Sequence, residues 1–561
     1  MRPTPRRILC VFPRYAQSFG TLHHAYPLLG GVRAFMPPQG MLLIAASLPK
    51  GWEVRFVDEN LAPASDADYA WADAVFVTGM HVQRDRINEV VARAHRHGKP
   101  AALGGPSVSA CPEWYPDADY LHLGEIGDAT QTLFDRLGGD VIRPAAQVRF
   151  ETKERTPLSA FPVPAYHLID VRRYFLASVQ FSSGCPFQCE FCDIPELYGR
   201  NPRLKTPEQV CAELDAILLA GPPDAVYFVD DNFIANPKAA MALLPHLVAW
   251  QRRTGYRTRF ACEATLNIAQ NRPLLELMRE ACIHTIFVGI ETPDEAALRD
   301  MVKPQNLRTP ILDAIGVLNS LGFEVVSGII LGLDGDNETT ADRLLAFIEA
   351  SQIPMLTINL LYALPKTPLW RRLEKERRIL SDGTGGTESN VQFLRPREEV
   401  RRDWLRCVTE ANAPAALFRR FAHQVRHTFP NRFNPGALRK VTAGDVVRGL
   451  GILGRVLWHE GIRSDYRREF WRTAGAALRR GDVEALIHAG LVAHHLIRFA
   501  RDCAAGGSEY SFYAARESTG TTAIPAPAGT AIPPRPDRDP VPEAGLIPAP
   551  ARAAVLTDEP A

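Results

Sequence analysis

Nowhere in the 561-residue chain is there a run of 18 consecutive apolar residues, so no stretch is long enough to span a bilayer as a helix. No signal peptide is expected: the basic opening MRPTPRRILCVFPRY has its apolar run broken by Pro13 and Arg14 and reads as a first strand. Ten cysteines over this length do not make a secreted disulfide framework. Net charge is nearly absent, at +1, and 46% apolar with 23% charged residues describes an ordinary globular protein of two or three domains. The G-x-G-x-x-G of a dinucleotide fold is missing after the first strand, where Phe12-Pro-Arg-Tyr-Ala-Gln-Ser18 stands instead. That argues against NAD. The cytoplasm is the expected compartment.

What is present is a concentrated cysteine loop. Cys185, Cys189 and Cys192 follow the strand-like run Ala177 to Phe181 with the spacing C-x3-C-x2-C. Three thiolates in one short loop can wrap a metal cluster, and Gly184 and Pro186 let the backbone turn tightly around it. A [4Fe–4S] cube normally takes four thiolates, so three leave one iron open. The alternative is a structural zinc loop, which would need a second Cys/His pair. Cys211, Cys262 and Cys282 are instead scattered singly.

This loop resembles the signature of the radical S-adenosylmethionine (SAM) superfamily, with Phe191 in its aromatic slot. The resemblance implies that the open iron chelates SAM. Reductive cleavage of SAM would then yield a 5′-deoxyadenosyl radical that removes a hydrogen atom from substrate.

Before the loop, short apolar strands alternate with helices. Arg7–Phe12, Glu53–Val57, Ala74–Thr78, Ala101–Leu103 and Tyr120–Leu123 predict a parallel, doubly wound sheet. Ligands bind such sheets at the carboxyl ends of the strands, where Gly79, Gly104, Gly105 and Gly124 fall. The segments GGPSVSA (Gly104 to Ala110, with Ser107) and HLGEIGDA (His122 to Ala129, with Glu125) resemble the cobalamin-binding domain that precedes many radical SAM domains. The D-x-H-x-x-G motif that supplies a lower axial histidine is absent, which suggests cobalamin held without one. His81 is a candidate to approach the cofactor, or a plain loop histidine. A flavodoxin-like relic that binds nothing is the alternative for the whole domain.

After a proline-rich stretch, strand–helix units recur, with strands at Ala225–Val229, Arg259–Glu263, Thr285–Ile290, Glu324–Leu331 and Leu356–Leu361. Six such units match the partial (β/α)6 barrel of the superfamily, whose chemistry sits at the strands' C-terminal ends. Asp230, Asp231, Glu263 and Glu291 fall there and are candidate contacts for SAM or substrate. Each has the alternative of pairing with a barrel lysine or arginine.

Residues 401–502 carry 19 Lys/Arg against 9 Asp/Glu and read as mostly helical. Such asymmetry points to a negatively charged neighbour. Val447 to Trp458 and Val483 to Phe499, apolar with interspersed Arg or His, are candidates to lie on an anionic membrane. No nucleic-acid reader motif accompanies the charge, so nucleic acid is not expected as a partner. A solvated arginine-rich face is the remaining alternative.

These readings give an α/β chain. It divides into a Rossmann-like cobalamin-binding domain (1–142), a linker (143–173), a partial radical SAM barrel (174–385), a basic helical region (386–505) and a Pro/Ala-rich tail (506–561) expected not to fold. Val11 to Gly40, Ser182 to Val210 and Tyr227 to Lys238 resemble the hopanoid C-2 methylase branch of the cobalamin-dependent radical SAM methyltransferases. That implies a hopanoid lipid substrate, a methyl added to ring A, and a ferredoxin or flavodoxin as electron donor. The alternatives are a cobalamin-dependent radical enzyme with another substrate, with or without methyl transfer, and a cobalamin- or redox-responsive binding protein.

Overall fold

Four consecutive residues of β1 (Arg7–Phe12), Ile8 to Val11, are buried. A strand covered on both faces belongs inside a parallel sheet with helices on either side, and β1 sits there. It pairs in parallel with β2 (Glu53–Asp58) on one side and β3 (Ala74–Thr78) on the other. Beyond β3 come β4 (Ala101–Gly104), β5 (Tyr120–Leu123) and β6 (Val148–Glu151), giving the order β2-β1-β3-β4-β5-β6. The chain reverses direction across the sheet between β1 and β3, which opens a crevice at their carboxyl ends. A computed structural model describes residues 5–139, 141–380 and 389–506. The expected tail beyond Gly506 lies outside the described residues.

One strand corrects the expectation. β6 falls inside the stretch read as linker and closes the sheet as its edge. Its V-R-F-E pattern leaves alternate residues exposed, so it lacks the apolar run that marks the inner strands.

The second sheet begins with β7 (Ala177–Val179). A small antiparallel pair, β8 (Ser182–Ser183) with β9 (Arg203–Leu204), then brackets the cysteine loop. β10 (Ala225–Phe228), β11 (Arg259–Glu263), β12 (Ile283–Glu291), β13 (Glu324–Leu331) and β14 (Met355–Leu360) complete an all-parallel sheet in the order β14-β13-β12-β11-β10-β7. This is the six-stranded partial barrel. It is open between β7 and β14, and both sides of the gap are covered. On one side, Phe175 and Leu176, just before β7, donate backbone hydrogen bonds to Ala34 and Phe35 from the loop after β1. On the other, helix Arg397–Ala411 lies over β14, with Trp404 Nε1 donating to the Ile358 carbonyl at 2.8 Å.

The C-terminal region is helical. Helix Val483–Ala504 is not a surface element, against the expectation for Val483 to Phe499: it is buried along most of its length. Its polar residues have internal partners. His488 meets Glu324 at 2.8 Å, His494 meets Glu460 at 2.6 Å, and His495 Nε2 bonds the Phe19 carbonyl oxygen at 2.8 Å. Among the described residues no helix is long and apolar enough to cross a membrane.

Candidate functional site

The cysteine loop is held by backbone hydrogen bonds from several directions. Gly184 has φ +98°, and a Cβ there would sit 2.9 Å from the Gly199 carbonyl oxygen, so only glycine fits. Its N–H donates to Asp231 Oδ2 at 2.7 Å, and Cys185 N–H donates to Gly199 O at 3.2 Å. Asp230, fully buried, accepts from the N–H groups of Phe181 and Ser182. The two aspartates at the end of β10 therefore act on the backbone that leads into the loop. Glu190, between the cysteines, pairs with Arg372 at 2.5 Å, and Arg372 reaches Asp334 at 2.8 Å.

Burial pushes the Cys185 and Cys192 thiols up, and the neighbouring Cys189 raises both further. Such a trio holds negative charge only with a cation among it. Among the described residues no three such side chains converge on one point, as a single metal ion would require. Three cysteines with no fourth ligand among the described residues fit a cube with one open iron better than a structural zinc site, which takes four ligands.

Around the loop lie residues that no motif marked. Lys303 sits 5.5 Å over the Phe191 ring and pairs with Glu291 at 2.5 Å. Burial works against the Lys303 charge, but Glu291 and the Cys189 thiol outweigh it, so its pKa rises. Gln305 Nε2 approaches Cys189 Sγ at 3.4 Å, and Asn306 Nδ2 donates to Gly289 O at 2.9 Å. Glu291 is a non-glycine residue at φ +66°, where β12 and β13 slip register. That conformation costs on the order of 1–3 kcal/mol. Gly289 makes room for the pair, since a Cβ there would meet Glu291 Oε1 at 2.4 Å and Lys303 Nζ at 2.7 Å.

Glu263, at the end of β11, takes a hydrogen bond from the Tyr227 hydroxyl at 3.2 Å. Burial, then Asp231, raises its pKa to about 7. Burial likewise lifts Asp230 to about 7 and Asp231 to about 6. Glu263, Glu291 and Phe191 line one cavity of about 1400 Å³ that runs down through the barrel. Its walls in mid-barrel are small or apolar, among them Ala261, Phe287, Val326 and Gly328.

The expected cobalamin residues cluster at the carboxyl end of the first sheet. Gly79 and Gly105 are adjacent, and a Cβ on Gly105 (φ +98°) would lie 2.2 Å from Thr78 Oγ1. His81 Nδ1 bonds Ser107 Oγ at 3.1 Å, and Ser107 bonds the Tyr115 hydroxyl at 2.6 Å. Burial holds the His81 imidazole neutral, down at about 4, and its Nε2 is buried without a hydrogen-bond partner. Gly104 packs against His122, and Gly124 (φ +95°) against Thr152. Glu125 points away from this group, across to Arg203 beside the cysteine loop at 2.7 Å, and also pairs with Arg155, just after β6, at 3.0 Å. An orphaned neutral imidazole nitrogen at the mouth of the β1/β3 crevice is compatible with a large polar cofactor there.

Residues 179–348 match the radical SAM superfamily, and residues 367–508 match a domain of unknown function, DUF4070. Two solved structures share the fold. One is a cobalamin-dependent S-adenosylmethionine radical enzyme, OxsB, with aqua-cobalamin and S-adenosylmethionine bound. It has TM-score 0.54 and 15% identity, with 89% of this chain and 80% of that one covered. The other is the radical S-adenosylmethionine methyltransferase TsrM from Kitasatospora setae, with cobalamin and a [4Fe-4S] cluster bound. It has TM-score 0.52 and 14% identity, with 90% and 100% covered. The hopanoid C-2 methylase of Rhodopseudomonas palustris (strain TIE-1) is 55% identical over 513 residues, which is 91% of this chain and 97% of that protein. The chain therefore belongs to the hopanoid C-2 methylase family of the radical SAM superfamily.

Proposed function

We propose that this protein is a cobalamin-dependent radical SAM methyltransferase that adds a methyl group to an unactivated sp3 carbon, C-2 of a hopanoid lipid. The observation that carries the reading is the hollow barrel. A closed barrel of this kind is filled by layers of side chains. Here a largely apolar cavity of about 1400 Å³ begins at Phe191 beside the cysteine loop and continues past Gly328 toward the strands' other ends. That is more than the 300–1,000 Å³ or so of an ordinary small-molecule pocket, and it suits a rigid polycyclic lipid.

When bound, a [4Fe–4S] cluster with SAM supplies the hydrogen-abstracting radical and cobalamin supplies the methyl group. The chain's own part is to hold and orient. Cys185, Cys189 and Cys192 would ligate the cluster. Glu291 with Lys303, and Glu263 with Tyr227, present fixed polar atoms at the strand ends for the SAM ribose and amino group. His81, Ser107 and the glycines at 79, 104, 105 and 124 would line the cobalamin face. The apolar wall keeps water away from the substrate carbon. A small reductant, a ferredoxin or flavodoxin, completes turnover, and peripheral contact with the inner face of the membrane fits a bilayer-resident substrate.

The test is mass spectrometry of lipids from cells that make desmethyl hopanoids, express this chain and are fed methyl-labelled methionine. Hopanoids heavier by one labelled methyl are expected. No new hopanoid, from protein shown to hold iron, sulfide and cobalamin, overturns the substrate assignment.

A further inference from the structure

Helix Ala443–Val456 and the π-helical turn Leu457–Arg463 that continues it are apolar on two sides: Ile452 and Val456 are buried in the core, and a second apolar set is exposed. Three of its polar side chains tie it to the body of the protein. Asp445 pairs with Arg257 at 2.9 Å, Arg448 with Asp224 at 2.7 Å, and Arg455 Nε donates to the Leu28 carbonyl at 2.6 Å. The second apolar set faces out. Val447 is 71% exposed, Leu450 62%, Trp458 52% and Ile462 56%.

These residues make a stripe. Val446, Leu450, Gly454, Trp458 and Ile462 recur every fourth residue, with Val447 beside them. In an α-helix that spacing drifts slowly one way around the axis, and the wider π turn drifts it back. An outward apolar stripe of two aliphatic rows and a tryptophan is not what a solvated surface helix shows. The surroundings are basic, with eight Lys/Arg against four Asp/Glu between Leu438 and Arg472.

The stripe is also continuous with the cavity. Val446 and Leu450 are exposed and line the cavity at the same time, together with Val441, Arg448 and Leu453. The helix is thus the rim of the opening, at the end of the barrel away from the cysteine loop.

We propose that helix 443–463 docks on an anionic phospholipid bilayer, with its apolar stripe in the acyl boundary, and forms the portal through which a lipid passes from bilayer to cavity. Its composition is that of an interfacial helix: apolar residues and tryptophan on one face and arginine around it. This deepens the lipid-substrate reading and rests on it only for what passes the portal. The docking itself needs no substrate.

The experiment is flotation of the full chain with vesicles of phosphatidylglycerol and phosphatidylcholine, compared with phosphatidylcholine alone. The native protein floats with the anionic vesicles and far less with the neutral ones. Val447→Glu and, separately, Ile462→Glu weaken that partitioning by roughly tenfold. Leu219→Glu, at a 90% exposed leucine elsewhere on the surface, does not. Both stripe variants still turn over detergent-dispersed substrate. Native protein that stays with neither vesicle, or stripe variants that float like native, overturns the proposal. So does a native dimer that Val447→Glu turns into a monomer without any vesicle binding, since the stripe then serves a second copy of the chain.

Discussion

Glu125, after the fifth strand of the N-terminal sheet, and Arg203, just past the cysteine loop, form an ion pair at 2.7 Å. Arg203 also donates to Ser183 Oγ at 3.0 Å and to the Tyr198 carbonyl. One carboxylate thus fastens the carboxyl end of one sheet to the β8–β9 pair that brackets the cysteines in the other. The two carboxyl edges face each other, which is the arrangement needed for a radical source and a methyl carrier to reach one substrate carbon.

Arg203→Ala tests that fastening. Both side chains are mostly buried, and Arg155 remains to neutralise Glu125. The expected loss is about 1–2 kcal/mol, between the values for exposed and buried pairs. Denaturant unfolding reads the stability. The same variant retains less cobalamin on gel filtration, read from its visible absorbance; full retention and unchanged stability would show that the pair is incidental.

The cysteines give the sharpest contrast. Cys185→Ala, Cys189→Ala and Cys192→Ala each drop bound iron and sulfide and abolish both deoxyadenosine and methylated product. Cys211→Ala, at a thiol on helix Pro207–Ala220 outside the loop, leaves all four unchanged. Iron and sulfide analysis of anaerobically reconstituted protein, followed by chromatography of the reaction, checks this. Iron retained in the Cys189 variant at native level would remove the cluster from the argument.

Asp230 is expected to matter through the backbone and not through the cofactor. Asp230→Ala strips two buried N–H groups, of Phe181 and Ser182, of their acceptor. At about 1–3 kcal/mol for each orphaned donor, the loss is roughly 2–6 kcal/mol. Asp230→Asn keeps an acceptor and recovers most of it. Thermal melts of the two variants, with iron content measured beside them, separate a missing hydrogen bond from a missing ligand.

Much of this was readable in the chain because the signals are local. Strands β1, β3 and β4 are unbroken apolar runs, and three cysteines within eight residues declare a cluster loop. Lys303, Gln305 and Asn306 carried no such signal. They lie in a plain K-P-Q-N segment, and their role arises only because the chain after β12 folds back over Gly289 and the cysteine loop. Helix Val483–Ala504 misled for a related reason. Histidines in an apolar run look interfacial until Glu324 and Glu460, more than 30 residues away or on another element, turn out to be their buried partners. Glu291 was legible as a strand-end acid, but its φ of +66° and its lysine are products of the bulge between β12 and β13.

The last prediction concerns Glu263 and pH. Its ordinary pKa of 4.5 is raised to about 7, first by burial and then by Asp231. The folded chain therefore holds this proton more tightly than the unfolded chain does. The stability that results is fully present below about pH 4.5 and is lost as pH rises through about 7. Glu263→Gln keeps an acceptor for the Tyr227 hydroxyl and has no charge to bury. In cluster-free protein without SAM, the variant and the native chain should melt close together near pH 5. The variant should melt several degrees higher near pH 8, where the native carboxylate is ionised in its buried place. A melting difference that does not change with pH would mean that Glu263 is solvated in the cavity and ionises at its ordinary value. If Glu263 also meets the SAM amino group or ribose, added SAM reverses the order at pH 8, because the ligand then stabilises the charged native carboxylate and not the amide.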